Sequence, residues 1–122
     1  MNNKGIGTAF EHEFCERLKK LGFWVHFMAP KAHSGAQPCD VIACKNGEVY
    51  LFDCKTCADK TFRIGRLEDN QIFAFDRFIK TGNKNAYVAV KHDNAVYYIP
   101  YATLKEAESV KIKDFIKQWN CI

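Results

Sequence analysis

Pro38-Cys39-Asp40-Val41-Ile42-Ala43-Cys44-Lys45-Asn46-Gly47-Glu48-Val49-Tyr50-Leu51-Phe52-Asp53-Cys54-Lys55 decides how this chain folds. Two apolar, β-branched and aromatic runs flank Asn46-Gly47, the dipeptide best suited to a two-residue type I′ hairpin turn. Closure at that turn sets residues whose numbers sum to about 93 opposite one another, so Asp40 faces Asp53. Asp53 and Lys55 are two apart and share a strand face. Two carboxylates beside an ammonium fit a hydrophobic core poorly and a divalent metal well. Val49 and Leu51 are expected to be buried on the Asp53 face, with Tyr50 and Phe52 on the other. A strand apolar on both faces is a central one.

Outward from the hairpin, helical spacing of Phe10, Phe14, Leu18 and Leu21 predicts a helix over residues 8–21, stopped by Gly22. Thr8 and Glu11 have capping-box spacing. Glu11 therefore has two readings, as a cap for its own helix or as a carboxylate facing a site. Residues 23–28 read as an aromatic-rich strand in which His26 is structural. Residues 29–37 read as a loop able to touch a ligand. After Lys55, a short strand is expected near residues 61–64. A second helix follows over residues 68–81, with Ile72, Phe75, Phe78 and Ile79 as its stripe, Asp69 capping or favouring its N-terminal end and Gln71 in its first turns. Residues 86–91 and 95–99 are strands around an Asp93-Asn94 turn. The tail from Thr103 is expected to be helical. The fold class implied is α/β, a mixed sheet with helices packed on it.

The chain has 122 residues, 48% of them hydrophobic and 26% charged, which suits one domain with a real core. Its net charge of +4 permits a polyanionic partner without demanding one. No apolar run reaches the roughly 18 residues of a membrane span, and no secretory signal is visible. Six cysteines without such a signal point to reduced thiols in a cytosol.

Glu11, Pro38-Cys39-Asp40, Asp53-Cys54-Lys55 and Gln71, in that order and on those elements, resemble the PD-(D/E)xK nuclease superfamily. Within it the chain looks most like archaeal-type Holliday junction resolvases and their phage relatives. Further support comes from Gly7-x-x-Phe10-Glu11, Leu18-x-x-x-Gly22-Phe23 and the Ser34-Gly35 pair. The resemblance covers residues 5–100 and implies the restriction-endonuclease-like αβββαβ core. Resolvases of this kind mostly carry Glu where this chain has Asp53.

The resemblance implies a metal-dependent endonuclease acting on four-way DNA junctions as a C2 homodimer. Asp40 and Asp53 would ligate Mg²⁺, with Mn²⁺ as a substitute, and the Cys54 backbone carbonyl would be a third ligand. Lys55 would serve the attacking water and the developing charge. Glu11 would hold a second metal or a water, Gln71 would position Lys55 or the water, and Ser34 would approach the phosphate. Lys4, Lys31, His33, Lys60, Arg63 and Arg66 are candidate DNA contacts.

Three other readings stand beside this one. Another nuclease of the fold would cut duplex, flap or ends. A module without activity would only bind DNA. A zinc site would use Cys39, Cys44, Cys54 and Cys57, of which only Cys54-x-x-Cys57 has ligand spacing.

Overall fold

A computed structural model describes residues 3–28 and 37–115, with side chains described from Ala9 onward. Helix α1 (Asn3–Lys20) is followed by strands β1 (Trp24–Phe27), β2 (Val41–Lys45), β3 (Glu48–Thr56) and β4 (Thr61–Arg63). Helix α2 (Asp69–Lys80), strands β5 (Ala86–His92) and β6 (Ala95–Pro100), helix α3 (Tyr101–Ala107) and strand β7 (Ser109–Lys111) complete it. Five strands form one sheet in the order β1-β2-β3-β5-β6. Only β3 and β5 run parallel, as α2 returns the chain over the sheet.

The hairpin closes as its turn dictates. Asn46 and Gly47 have φ of 54° and 81°, the paired left-handed geometry of a type I′ turn. From Val41↔Phe52 to Lys45↔Glu48 every facing pair sums to 93. Asp93 and Asn94, at φ 50° and 62°, turn β5 into β6 in the same way.

Each sheet face has its own core. Phe10, Phe14 and Leu18 of α1 pack with Phe52, Cys54, Ala89 and Tyr98 on one face. The Phe14 and Phe52 rings meet edge to face at 5.0 Å. Phe75 of α2 and Tyr101 and Leu104 of α3 pack with Leu51, Val88, Val90 and Ile99 on the other. Burying one such phenyl side chain stabilises the fold by about 2–3 kcal/mol. Asp53 belongs to the α2 face and lies between these apolar positions.

Several local expectations are corrected. The first helix begins at Asn3, so Thr8 lies within it and not at its N-cap position. Glu68 is the N-cap of α2, and Asp69 lies in the first turn, where its charge favours the helix N-terminus. Val49 is 40% exposed, because it sits near the turn end of the hairpin beyond the reach of α2. The tail is not all helical. After α3, Glu108 adopts a left-handed φ of 65° and directs the chain into β7, which pairs with β4 as a second, two-stranded sheet. Phe62 and Ile112 are buried beneath this ribbon.

Candidate active site

The site forms where β2 begins and β3 ends. Asp40 lies one residue before β2, in a bend that stays in register with β3: its amide donates to the Phe52 carbonyl at 3.0 Å. Its carboxylate turns back across the hairpin, and Oδ2 accepts the Cys54 amide hydrogen at 2.8 Å. Asp40 therefore stands across the hairpin from Asp53, as the register carried one pair past Val41↔Phe52 requires, and its charge acts on the Asp53 carboxyl.

Asp53 has no exposed side-chain surface. The Gln71 Nε2 donates to Oδ1, and the Lys55 ammonium stands 2.8 Å from Oδ2. That ion pair is the only counter-charge Oδ2 has among the described residues, and no directed hydrogen bond reaches it. Burial first, and the neighbouring Asp40 charge second, hold the Asp53 carboxyl well above the usual carboxylate range, against the pull of Lys55.

Lys55 feels opposed effects. Burial pulls its pKa down, but Asp53, Asp40 and Glu68 together outweigh it and the net shift is upward. The ammonium therefore stays charged in this state.

Gln71 occupies the first turn of α2 with both amide ends used. Its Oε1 accepts the Glu68 amide hydrogen at 3.0 Å, which fixes which end faces Asp53. Helix start and acidic centre are thus joined through one side chain.

Glu11 projects from the middle of α1, so the capping reading fails. Burial, and then the Asp40 charge, push its carboxyl from 4.5 up to about 7, with Lys55 pulling the other way. Glu11 therefore faces the same electrostatic centre.

The main chain beyond Lys55 is anchored twice. The Cys57 amide donates to the Lys91 carbonyl at 3.0 Å, and the Cys57 carbonyl accepts from Nδ1 of buried His92 at 2.9 Å. A carbonyl only accepts, so His92 carries a proton on Nδ1.

Of the candidate DNA contacts, Lys60, Arg63 and Arg66 are exposed on the segment leaving β3. Arg66 also donates to the Thr56 carbonyl at 2.9 Å and lies 5.4 Å from the Phe62 ring centroid. Lys31, His33 and Ser34 lie outside the described residues, as does the Lys4 side chain.

The zinc reading does not survive. Cys39 and Cys57 lie in the core on the α2 face, and Cys54 lies in the core on the α1 face. Burial, then Asp40 and Asp53, push the Cys39 thiol up to about 12, far from thiolate. No group of three or more His, Cys, Asp or Glu residues forms a preset cage among the described residues. For Mg²⁺ a cage is not required: one or two carboxylates with water and phosphate are its usual holders. The Asp40–Asp53 pair, with Oδ2 of Asp53 buried and balanced only by a lysine, fits that donor set.

Glu68 is the site residue that the sequence did not single out. A signal was present, since Glu68 stands three residues before Gln71, the capping-box spacing. Glu is not among the preferred N-cap residues, so the pattern gave no alert.

The sequence model of the archaeal Holliday junction resolvase (Hjc) family matches residues 2–119, which includes the tail. A "Crossover junction endodeoxyribonuclease Hjc" from Methanocaldococcus jannaschii is 30% identical over 112 residues, 91% of this chain and 78% of that protein. The structure of Archaeoglobus fulgidus Hjc, a Holliday junction resolvase from an archaeal hyperthermophile, superposes with a TM-score of 0.66 at 20% identity. It covers 88% of each chain, which is a likeness of fold. Taken with the family match over nearly its whole length, these findings show that the chain belongs to the archaeal Holliday junction resolvase family.

Proposed function

We propose that this chain resolves four-way DNA junctions by metal-dependent phosphodiester hydrolysis, with Asp40, Asp53 and Lys55 at the chemical centre. The observation that carries the reading is the fully buried Asp53 side chain, across the hairpin from Asp40 and 2.8 Å from Lys55. Like charges are not gathered out of water without a cation to balance them.

Asp40 and Asp53 would hold Mg²⁺, or Mn²⁺ in its place, with the Cys54 carbonyl as a further oxygen donor. When bound, the cation supplies charge neutralisation at the scissile phosphate and acidifies water. Lys55 lies beside that seat, where its charge stabilises the anionic transition state. Gln71 holds Asp53 in one orientation. Glu11, pushed to about 7, is suited to exchange a proton with water near neutral pH. Ser34 is assigned to the phosphate on the resemblance alone.

Lys60, Arg63 and Arg66, with Lys4, Lys31 and His33, would carry the junction through its phosphates. A four-way junction has two-fold symmetry, so a C2 homodimer would present two such sites to it. No helix among the described residues is long and apolar enough to cross a membrane. Work on cellular DNA would suit a cytoplasmic location. A nuclease for linear duplex or flaps would share every one of these active-site groups. Membership of the resolvase family favours the junction.

The test is incubation with labelled four-way junction, linear duplex and flap in Mg²⁺, alongside Asp53→Asn. Paired symmetric nicks in the junction that the substitution abolishes support the reading. Equal cutting of linear duplex, or full activity after chelation of divalent cations, would overturn it.

A further inference from the structure

The chain leaves the acidic centre just after Lys55 and comes back to it at Gln71. The excursion between them carries β4. It is tied down at its start, where the Cys57 thiol donates to the Asp59 and Thr61 carbonyls at 3.5 and 3.7 Å. Arg66 ties it again, by donating to the Thr56 carbonyl at 2.9 Å. β4 has three residues, and it is a strand because β7, from the far end of the chain, pairs with it. The Ile112 amide, donating to the Lys60 carbonyl at 3.0 Å, extends the pairing by one step.

In this ribbon Thr61 faces Lys111, Phe62 faces Val110 and Arg63 faces Ser109. Phe62 is fully buried and Val110 packs against the same core. Alternation therefore turns Thr61, Arg63, Ser109 and Lys111 to the outer face. Two hydroxyls and two cations meet there with no carboxylate among them. Lys60 and Arg66 are exposed beside them. None of these four cations forms an ion pair with a described acid, Asp59 and Glu108 at the two ends of the ribbon included. Arg17, Lys19, Lys91, Lys105 and Lys113, by contrast, are each paired with a carboxylate. Like charges gathered without acids repel one another in the folded chain and attract a polyanion.

We infer that the outer face of the β4–β7 ribbon is a seat for the phosphate backbone of one DNA arm, and that the tail strand is half of it: Lys111 and Ser109 bind the arm beside Arg63 and Thr61. An ammonium and small hydroxyls suit phosphate oxygens in any sequence. The seat adjoins the acidic centre, so it fixes how the arm enters. This inference deepens the proposed function and rests on it.

The ladder is main-chain, so Lys111→Gln removes the charge and keeps the strand. It would be compared with wild type, Arg63→Gln, Lys111→Arg and Lys84→Gln. Lys84 is an exposed cation between α2 and β5, also without an ion pair to a described acid. The readouts are Tm and the salt dependence of four-way-junction Kd without divalent cation. Each lost phosphate contact lowers the slope of log affinity against log salt by about 0.9. That fall is expected for Lys111→Gln and for Arg63→Gln, on junctions of unrelated sequence alike, with unchanged Tm. Lys111→Arg and Lys84→Gln should keep the wild-type slope. A wild-type slope in Lys111→Gln would overturn the inference and leave the proposed function standing. So would an equal fall in Lys84→Gln, which is an effect of net charge, or a fall confined to one junction sequence, which is base readout. Affinity lost together with Tm, and not restored by Lys111→Arg, would be a bracing effect and would overturn it too. A wild-type chain that binds no junction would overturn both.

Discussion

Lys55 Nζ lies 2.8 Å from Oδ2 of Asp53, a carboxylate with no exposed surface. The pair is an internal balance of charge placed where a cation would be held. Removing one partner of a buried pair leaves the other uncompensated, which costs about 3–5 kcal/mol. Lys55→Met should abolish cleavage and lower stability by about 3 kcal/mol at neutral pH. The loss should depend on pH. Without the ammonium, the Asp53 carboxyl rises further above its unfolded value, so the folded variant is favoured by proton uptake at low pH. That advantage disappears as pH rises. Urea denaturation of variant and wild type should show a smaller difference at acidic than at alkaline pH; a difference independent of pH would contradict the assignment.

Glu11 makes a second pH-dependent prediction. Its carboxyl is raised in the folded state from 4.5 to about 7. A raised acid contributes stability that is fully present below 4.5 and is lost as pH climbs through about 7. Gln mimics the protonated acid, so Glu11→Gln should match wild type in Tm below that window and exceed it above. Saturating Mg²⁺ should narrow the gap by favouring the charged wild-type side chain. Equal Tm curves at every pH would mean that Glu11 is solvated.

Gln71 donates to Asp53 and accepts from the Glu68 amide, so it serves two groups at once. Gln71→Ala should cost about 2 kcal/mol, the scale of a buried hydrogen bond to a charged group. It should also cut turnover by releasing Asp53 from its fixed orientation. Gln71→Glu is expected to be worse, since it sets a third carboxyl against Asp40 and Asp53. Thermal melts and single-turnover rates check both. Full activity in Gln71→Ala would remove Gln71 from the site.

Phe73 is 65% exposed on α2, with the Arg77 guanidinium 5.9 Å from its ring centroid. An exposed aromatic backed by arginine is the kind of residue that anchors an interface. If the homodimer forms through this surface, Phe73→Asp should raise its dissociation constant by about tenfold or more. Sedimentation equilibrium reads that change directly, and symmetric nicking should become uncoupled. A wild-type monomer, or a variant dimer of unchanged affinity, would exclude Phe73 from the contact.

The hairpin and the apolar stripes of the first two helices were legible because their causes are local. Asn46-Gly47 accepts two left-handed residues and leaves one register open to the strands, which sets Asp40 against Asp53 before any packing is known. Phe10, Phe14 and Leu18, and Phe75 with its neighbours, repeat at helical period and needed only a sheet to cover.

The remainder had no local cause. β7 exists because Ser109–Lys111 find β4 some fifty positions earlier, and three residues of middling propensity do not announce such a partner. Glu11 and Glu68 are ordinary polar residues on a helix and at a helix start. Only packing of α1 and α2 around the end of β3 brings both into the field of Lys55. The sequence by itself determined which acids share a strand face, because side-chain alternation and turn geometry are short-range rules. The tertiary structure alone decided that Asp53 is sealed from water and tied to Gln71, because burial and that hydrogen bond depend on contacts between distant segments.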